Sequence, residues 1–115
     1  NESQVHENYK DMIIKARDID SRVTGRSTGH PVRALRNQMT KEYLKKEQEG
    51  APFEELELLT LGGLRRAVVD GDVKTGSVMA GQIAGMVKEK MSCHDLIHKL
   101  VKETDDLIGG KGFYE

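Results

Sequence analysis

Apolar residues at Val5, Tyr9, Met12, Ile13 and Ala16 recur at the i, i+4, i+7, i+8 spacing of one helix face, which predicts an amphipathic helix over about residues 4–17. From Ile19 to Pro31 the period is lost. Val23-Thr24 is β-prone, and Gly25 and Gly29 frame Arg26-Ser27-Thr28, so a short extended piece leads into a glycine loop. Pro31 disfavours helix at His30 and can open a short turn through Leu35. Asn37 to Glu49 is a charged helix with Met39, Tyr43 and Leu44 facing inward, ended by Gly50 and by Pro52 beyond it. Pro52 suits the first position of the next helix, with Glu54 and Glu55 well placed against the dipole in its first turn. Leu56, Leu58, Leu59 and Leu61 continue that helix to a break at Gly62-Gly63. Leu64 to Val69 resumes it, and Asp70-Gly71-Asp72 closes it with a turn. Gly76-Ser77 ahead of apolar residues predicts a helix over about 77–89. Ser92 with Asp95 forms a capping box for the last helix, whose stripe is Leu96, Ile97, Leu100, Val101, Leu107 and Ile108. Gly109 to Glu115 is expected to be a frayed tail. The fold expected is mainly α, five or six helices with at most one short strand and no internal repeat.

Composition narrows this picture. The chain of 115 residues suits one domain, and with no Trp, two Phe and three Tyr its core must be aliphatic. At 37% hydrophobic residues and a mean hydropathy of −0.58 it has little apolar surplus, so part of its buried surface is expected to come from a partner or from sequence outside the chain. A net charge of −1 gives no general attraction to nucleic acid or anionic membrane. Cys93 is the only cysteine, which rules out an internal disulfide and fits a reducing cytosol. No signal peptide or spanning segment is visible, so the expected location is cytoplasmic. A start at Asn1 is compatible with an upstream start, with Met removal or with trimming.

The most unusual stretch is Gly76-Ser77-Val78-Met79-Ala80-Gly81-Gln82-Ile83-Ala84-Gly85, uncharged in a chain that is 32% charged. Small residues let a backbone approach something flat. One reading is a helix–helix seam through Ala80/Ala84 and Gly81/Gly85. The other is a ligand-facing helix start, whose unpaired N–H groups suit an anionic or carbonyl-rich group. A membrane motif is excluded, because Lys74 and Lys88 bound the run far short of the ~20 residues a bilayer requires.

Other candidates are weaker. Successive N–H groups in the loop from Gly25 to Gly29 can form an anion nest, with Arg26, Ser27 and Thr28 as added donors. The loop lacks the Gly-Lys-Ser/Thr of a P-loop and the Gly-x-Gly-x-x-Gly of a dinucleotide fold, and an ordinary solvent loop fits the residues equally well. Arg22, Arg26, Arg33, Arg36, Lys41, Lys45 and Lys46 stand against the single acid Glu42 within residues 22–46, a basic face able to dock an acidic partner or simply to be solvated. Nucleic acid is not expected, since Tyr43 is the only aromatic among them. At ~100° per residue Cys93 falls in the middle of the last apolar stripe and His94 and His98 at its border, so no shared metal site is expected and Cys93 is assigned to the core. Asp70-Gly71-Asp72 lacks the further ligands of a calcium loop. His30 is the best-placed base, with Ser27 three residues away, but nothing in the sequence orients the pair; His6 has no evident partner. The chain shows no catalytic constellation.

Three blocks change the picture when taken together: Val23-Thr24-Gly25-Arg26-Ser27-Thr28-Gly29-His30-Pro31-Val32-Arg33, then Leu64-Arg65-Arg66-Ala67 with Asp70-Gly71-Asp72, then Gly76-Ser77-Val78-Met79-Ala80-Gly81-Gln82. In order and spacing, over about His6 to Ile108, they resemble the C-terminal third of the FMN-dependent enoyl-acyl-carrier-protein reductase II family and its relatives the nitronate monooxygenases (2-nitropropane dioxygenases). The resemblance implies a (β/α)8 flavoenzyme as parent. Residues 1–18 would be its final barrel helix, 19–108 a helical cap with glycine loops, and 109–115 a tail without counterpart. The flavin phosphate site and the catalytic histidine belong to the barrel in that family, so no catalytic residue is assigned here and His30 does not fill the role.

What carries over is Met79-Ala80-Gly81-Gln82 beside the flavin and substrate pocket, with Ser77 as a weaker candidate; loop 25–29 would hold the cap on the barrel. The implied parent reaction passes a hydride from NAD(P)H to FMN and on to an enoyl-acyl carrier protein in fatty-acid biosynthesis. This chain alone is expected to bind no cofactor and to be inactive. The implied partners are the N-terminal barrel and, through the basic residues, acyl carrier protein. Alternatives are a nitronate monooxygenase fragment and a non-enzymatic helical module that oligomerises through an exposed face.

Overall fold

The computed structural model describes residues 1–109, so six residues of the expected tail lie outside it. The elements are α1 (Glu7–Lys15), β1 (Ser21–Thr24), β2 (Val32–Leu35), α2 (Gln38–Gln48), α3 (Phe53–Thr60), α4 (Gly63–Val68) and α5 (Cys93–Leu107), with 3-10 turns at Arg26–Thr28 and Gln82–Met86. The mainly helical expectation holds. Residues 4–88 form one compact unit; residues 1–3 with residues 89–109 form a second.

The helix starts follow local side-chain chemistry. The Asn37 side chain accepts from the Thr40 amide at 2.9 Å, and the Thr40 hydroxyl accepts from the Asn37 amide at 2.8 Å, a reciprocal cap for α2. His6, partnerless on paper, caps α1 by accepting at Nδ1 from the Asn8 amide at 3.0 Å. Pro52 is the N-cap of α3 rather than its first helical residue, and Glu54 and Glu55 sit in the first turn as the dipole favours. The chain breaks at Gly62 as expected before α4 resumes.

Two expectations fail together. Instead of at most one strand there are two, paired antiparallel in the register Ser21↔Leu35, Arg22↔Ala34, Val23↔Arg33 and Thr24↔Val32. The glycine loop reverses the chain: Gly25 and Gly29 both adopt left-handed φ, 82° and 78°, and Pro31 bars helix immediately after. The expected helix over 77–89 does not form either. The Leu35 amide donates to the Val78 carbonyl at 2.8 Å, the Ala80 amide donates to the Arg33 carbonyl at 3.3 Å, and Ala34 faces Met79 across an isolated bridge. Residues 78–80 thus line the free edge of β2, and a 3-10 turn follows. Three glycines with Ser77 and the β-branched Val78 and Ile83 leave local helix propensity too low to resist that pairing. Ala80/Ala84 and Gly81/Gly85 therefore share no helix face. Ala84 is still buried, and Gly85 lies so close to Arg17 and Asp18 that a Cβ would meet the Asp18 nitrogen at 2.4 Å.

The main core of the first unit gathers Tyr9, Ala16, Leu35, Ala67, Val78 and Ala84, with Met12, Ile13 and Val68 packed against it. A second cluster joins Met39, Tyr43 and Leu56 where α2 meets α3. In the second unit Ser92 caps α5 by accepting from the Asp95 amide at 3.1 Å. The apolar stripe of α5 is exposed, and so is Cys93, which corrects its assignment to the core. Cys93 is the first residue of α5; its amide donates to the Glu2 carboxylate at 3.0 Å, and this unit has no second helix among its described residues to cover the stripe. His94 and His98 bring their rings to 4.2 Å, but among the described residues no group of three His, Cys, Asp or Glu is arranged to hold a metal. No helix of the described residues is long and apolar enough to cross a membrane.

Candidate functional site

One open pocket of about 370 Å³ joins the two glycine-rich segments. The hairpin supplies Thr24, Val32 and Ala34, the loop Thr28 and His30, α2 Met39 and Tyr43, α3 Phe53, Glu57 and Thr60, and the β2-edge segment Ser77 and Met79; Leu64 of α4 completes it. The floor is aliphatic and aromatic, with hydroxyls and one carboxylate at intervals, the usual make-up of a site for an organic ligand.

Of the five residues singled out in the sequence, Ser77 and Met79 line this pocket, whereas Ala80, Gly81 and Gln82 continue beyond it. Ser77 is buried, its amide donating to the Gly63 carbonyl at 2.9 Å, and a Cβ at Gly63 would sit 2.6 Å from Ser77 Oγ, so the hydroxyl would have to shift. Met79 is 41% exposed, so its side chain is offered to whatever occupies the pocket. Its main chain is fixed on two sides: the bridge to Ala34, and a 2.6 Å hydrogen bond donated by the Tyr9 hydroxyl to the Met79 carbonyl. Burial pushes the Tyr9 hydroxyl above its ordinary pKa.

The turn behind the motif is stitched by two side chains the sequence did not single out. Asn37, besides capping α2, donates through Nδ2 to the Val73 and Gly76 carbonyls, each at 2.8 Å. Arg66 donates to the Leu61 carbonyl at 2.6 Å and the Thr75 carbonyl at 3.0 Å. Asp72 accepts from the Lys74 amide at 3.2 Å, the Thr75 amide at 3.0 Å and the Thr75 hydroxyl, and the Thr75 bonds hold its carboxyl below the usual range. Asp70-Gly71-Asp72 is thus a structural turn. Phe53 and Glu57 were missed because they reach the pocket from α3; the signal available was a Phe, one of two in the chain, directly after Pro52.

The anion nest weighed for the loop is reduced to Ser27, because the Thr28 and Gly29 amides close the turn on the Gly25 and Arg26 carbonyls. Ser27 donates its amide, at 3.0 Å, and its hydroxyl, at 2.6 Å, to one carboxylate oxygen of Glu47. His30 lines the pocket but no hydrogen bond joins it to Ser27; its amide donates to the Thr28 hydroxyl at 3.3 Å. The basic stretch is partly spent internally. Arg36 pairs with Asp20 at 3.4 Å and Lys46 with Glu55 at 2.9 Å, while Arg22 and Arg33 donate to the Ser21 carbonyl and hydroxyl, each at 2.9 Å. Arg36, Lys41 and Lys45 line a shallow depression of about 590 Å³ at the start of α2.

These elements define a mainly helical segment that carries an open pocket. The sequence pattern of the nitronate monooxygenase family matches residues 1–103, and the chain belongs to that family. Among solved structures, FabK from Thermotoga maritima is 38% identical with a TM-score of 0.84, covering 90% of this chain and 33% of that one. A methionine-to-alanine mutant of FabK from Thermotoga maritima is 35% identical with a TM-score of 0.74, covering 92% of this chain and 31% of that one. The chain therefore spans about a third of the length of the proteins it is similar to. No curated protein sequence matches it.

Proposed function

We propose that the chain is the helical cap segment of an FMN-dependent oxidoreductase that reduces an enoyl group on acyl carrier protein with NAD(P)H, and that Met79, Ala80, Gly81 and Gln82, with Ser77, lie beside flavin and substrate. The observation that supports this most is the pocket itself, which unites the two segments that carry the family pattern.

The residues fit part of FMN. The apolar lining with Met79 suits a ring, and Gly81, where a Cβ would meet nothing within 4 Å, leaves the backbone open to a flat neighbour. The loop does not suit the phosphate, since Glu47 already takes the Ser27 donors and would repel an anion. The phosphate is thus assigned to a barrel portion outside this chain. Bound flavin would supply hydride transfer; these residues would supply orientation and exclusion of water. His30 is given no part in proton transfer, because its amide is bonded to Thr28 but no hydrogen bond among the described residues orients its ring. The basic face, with Arg26, Arg36, Lys41 and Lys45 outermost, is proposed to dock the acidic carrier protein.

The test is co-expression of this chain with the barrel portion of Thermotoga maritima FabK, followed by gel filtration and flavin absorbance. A yellow, NAD(P)H-reducible complex that reduces an enoyl thioester supports the proposal. The same complex oxidising a nitronate but not reducing the thioester favours the monooxygenase alternative. A colourless stable homo-oligomer that ignores the barrel overturns both and supports the non-enzymatic module.

A further inference from the structure

Loop 25–29 lies between two glycines in left-handed conformation, and its tip, Arg26 to Thr28, is a 3-10 turn closed by the Thr28 amide on the Gly25 carbonyl at 3.1 Å and the Gly29 amide on the Arg26 carbonyl at 3.4 Å. Gly25 cannot be replaced without strain, since a Cβ there would lie 2.5 Å from the His30 carbonyl oxygen. Within the loop the Thr28 hydroxyl donates to the Gly25 carbonyl at 2.8 Å, which shapes the turn but ties it to nothing else. The ties to the rest of the unit come from α2. Tyr43 and Glu47 are one helical turn apart: Tyr43 lines the pocket together with Thr28, and one Glu47 oxygen accepts both the amide and the hydroxyl of Ser27. Thr28, His30 and Tyr43 all line the pocket.

We propose that Glu47 is the positioning residue of the pocket: its carboxylate occupies the anion place of the glycine loop and so locks Thr28 and His30 into the pocket wall. Charge assistance favours this atom arrangement, because two donors converge on one ionised oxygen. It also sets a selectivity, since an external phosphate would have to displace a like charge. The consequence for a bound ligand rests on the reading of the pocket given above; the lock itself does not.

The experiment compares amide hydrogen exchange in the 115-residue chain with that of Glu47→Ala and Glu47→Gln. In Glu47→Ala, exchange at Ser27 and His30 is expected to accelerate about tenfold or more while amides of α4 and of Val78 keep their rates. Glu47→Gln keeps an acceptor oxygen and is expected to restore most of the protection. Adding inorganic phosphate is expected to slow Ser27 exchange in Glu47→Ala and to leave the unsubstituted chain unchanged. Equal loop exchange in all three proteins overturns the proposal, as does a loss of protection spread over α2 and α4 that Glu47→Gln does not reverse, or a phosphate response in the unsubstituted chain. None of these readouts involves flavin, so they stand or fall separately from the assignment as a flavoenzyme segment.

Discussion

The phenolic hydroxyl of Tyr9 donates a 2.6 Å hydrogen bond to the main-chain carbonyl of Met79, 70 positions further along the chain. Through it α1 fixes the edge of the pocket, because the carbonyl lies on the segment that pairs with β2. Tyr9→Phe leaves that carbonyl without its donor in a half-buried place and is expected to cost about 1–3 kcal/mol, read by urea unfolding. Burial raises the Tyr9 pKa, so its stabilising contribution is present below the ordinary tyrosine value and is lost as pH rises through the folded one. The unsubstituted chain should accordingly lose stability in alkali more steeply than Tyr9→Phe. Superimposable alkaline curves would refute the assignment.

Glycines within one motif should answer differently to alanine. A Cβ at Gly76 would lie 2.4 Å from the Asp72 carbonyl oxygen and 2.8 Å from the Ala67 nitrogen, both backbone atoms that cannot swing aside. Gly76→Ala is expected to destabilise by about 2 kcal/mol or more. Gly81→Ala meets open space at an ordinary extended φ of −77° and should stay within about 0.5 kcal/mol. Paired urea midpoints check the contrast.

Asn37 works at both ends of its amide. Its oxygen caps α2 and its nitrogen serves two carbonyls of the turn before Ser77. Asn37→Asp keeps the cap and loses the two donations; Asn37→Ala loses all three. The expected order of melting temperature is Asn37 above Asp above Ala, with Asn37→Ala costing about 2 kcal/mol or more. Equal melting of Asn37→Asp and the unsubstituted chain would show that the carbonyls find other donors.

Glu2 and Cys93 share a hydrogen bond that moves both titrations in opposite directions. The thiol's bond, ahead of the backbone amides, holds the Glu2 carboxyl at about 2, and Glu2 in turn pushes the Cys93 thiol up. The tie is thus present above the ordinary glutamate pKa and lost as pH falls through about 2, which a carboxyl NMR titration follows. At pH 8 Glu2→Gln should speed alkylation of the exposed Cys93 by raising its thiolate fraction. An unchanged rate would remove Glu2 as the cause.

For the docking face, Lys41→Glu combined with Lys45→Glu is the informative pair, because Lys46 is engaged by Glu55. In the complex with a barrel portion, KM for a carrier-linked enoyl substrate should rise about tenfold while kcat and KM for a small thioester stay put. Equal effects on both substrates would argue against carrier docking.

The order of elements and most helix boundaries were legible in the sequence because they rest on neighbours within one turn. Asn37 and Ser92 cap and Gly62 breaks, each by short-range geometry. The family, too, was legible, carried by glycine-rich blocks whose order and spacing are specific. Tertiary structure alone decided the conformation of Gly76 to Gly85. Its residues are small and nearly indifferent between helix and strand, so the hydrogen bonds to Leu35 and Arg33, more than forty positions away, settled the matter. It alone placed Glu47 in the glycine loop, Tyr9 under Met79 and Cys93 in the open. Spacing along a chain encodes which residues share a face of one element; which face meets which is fixed only when distant backbones pair and close a core.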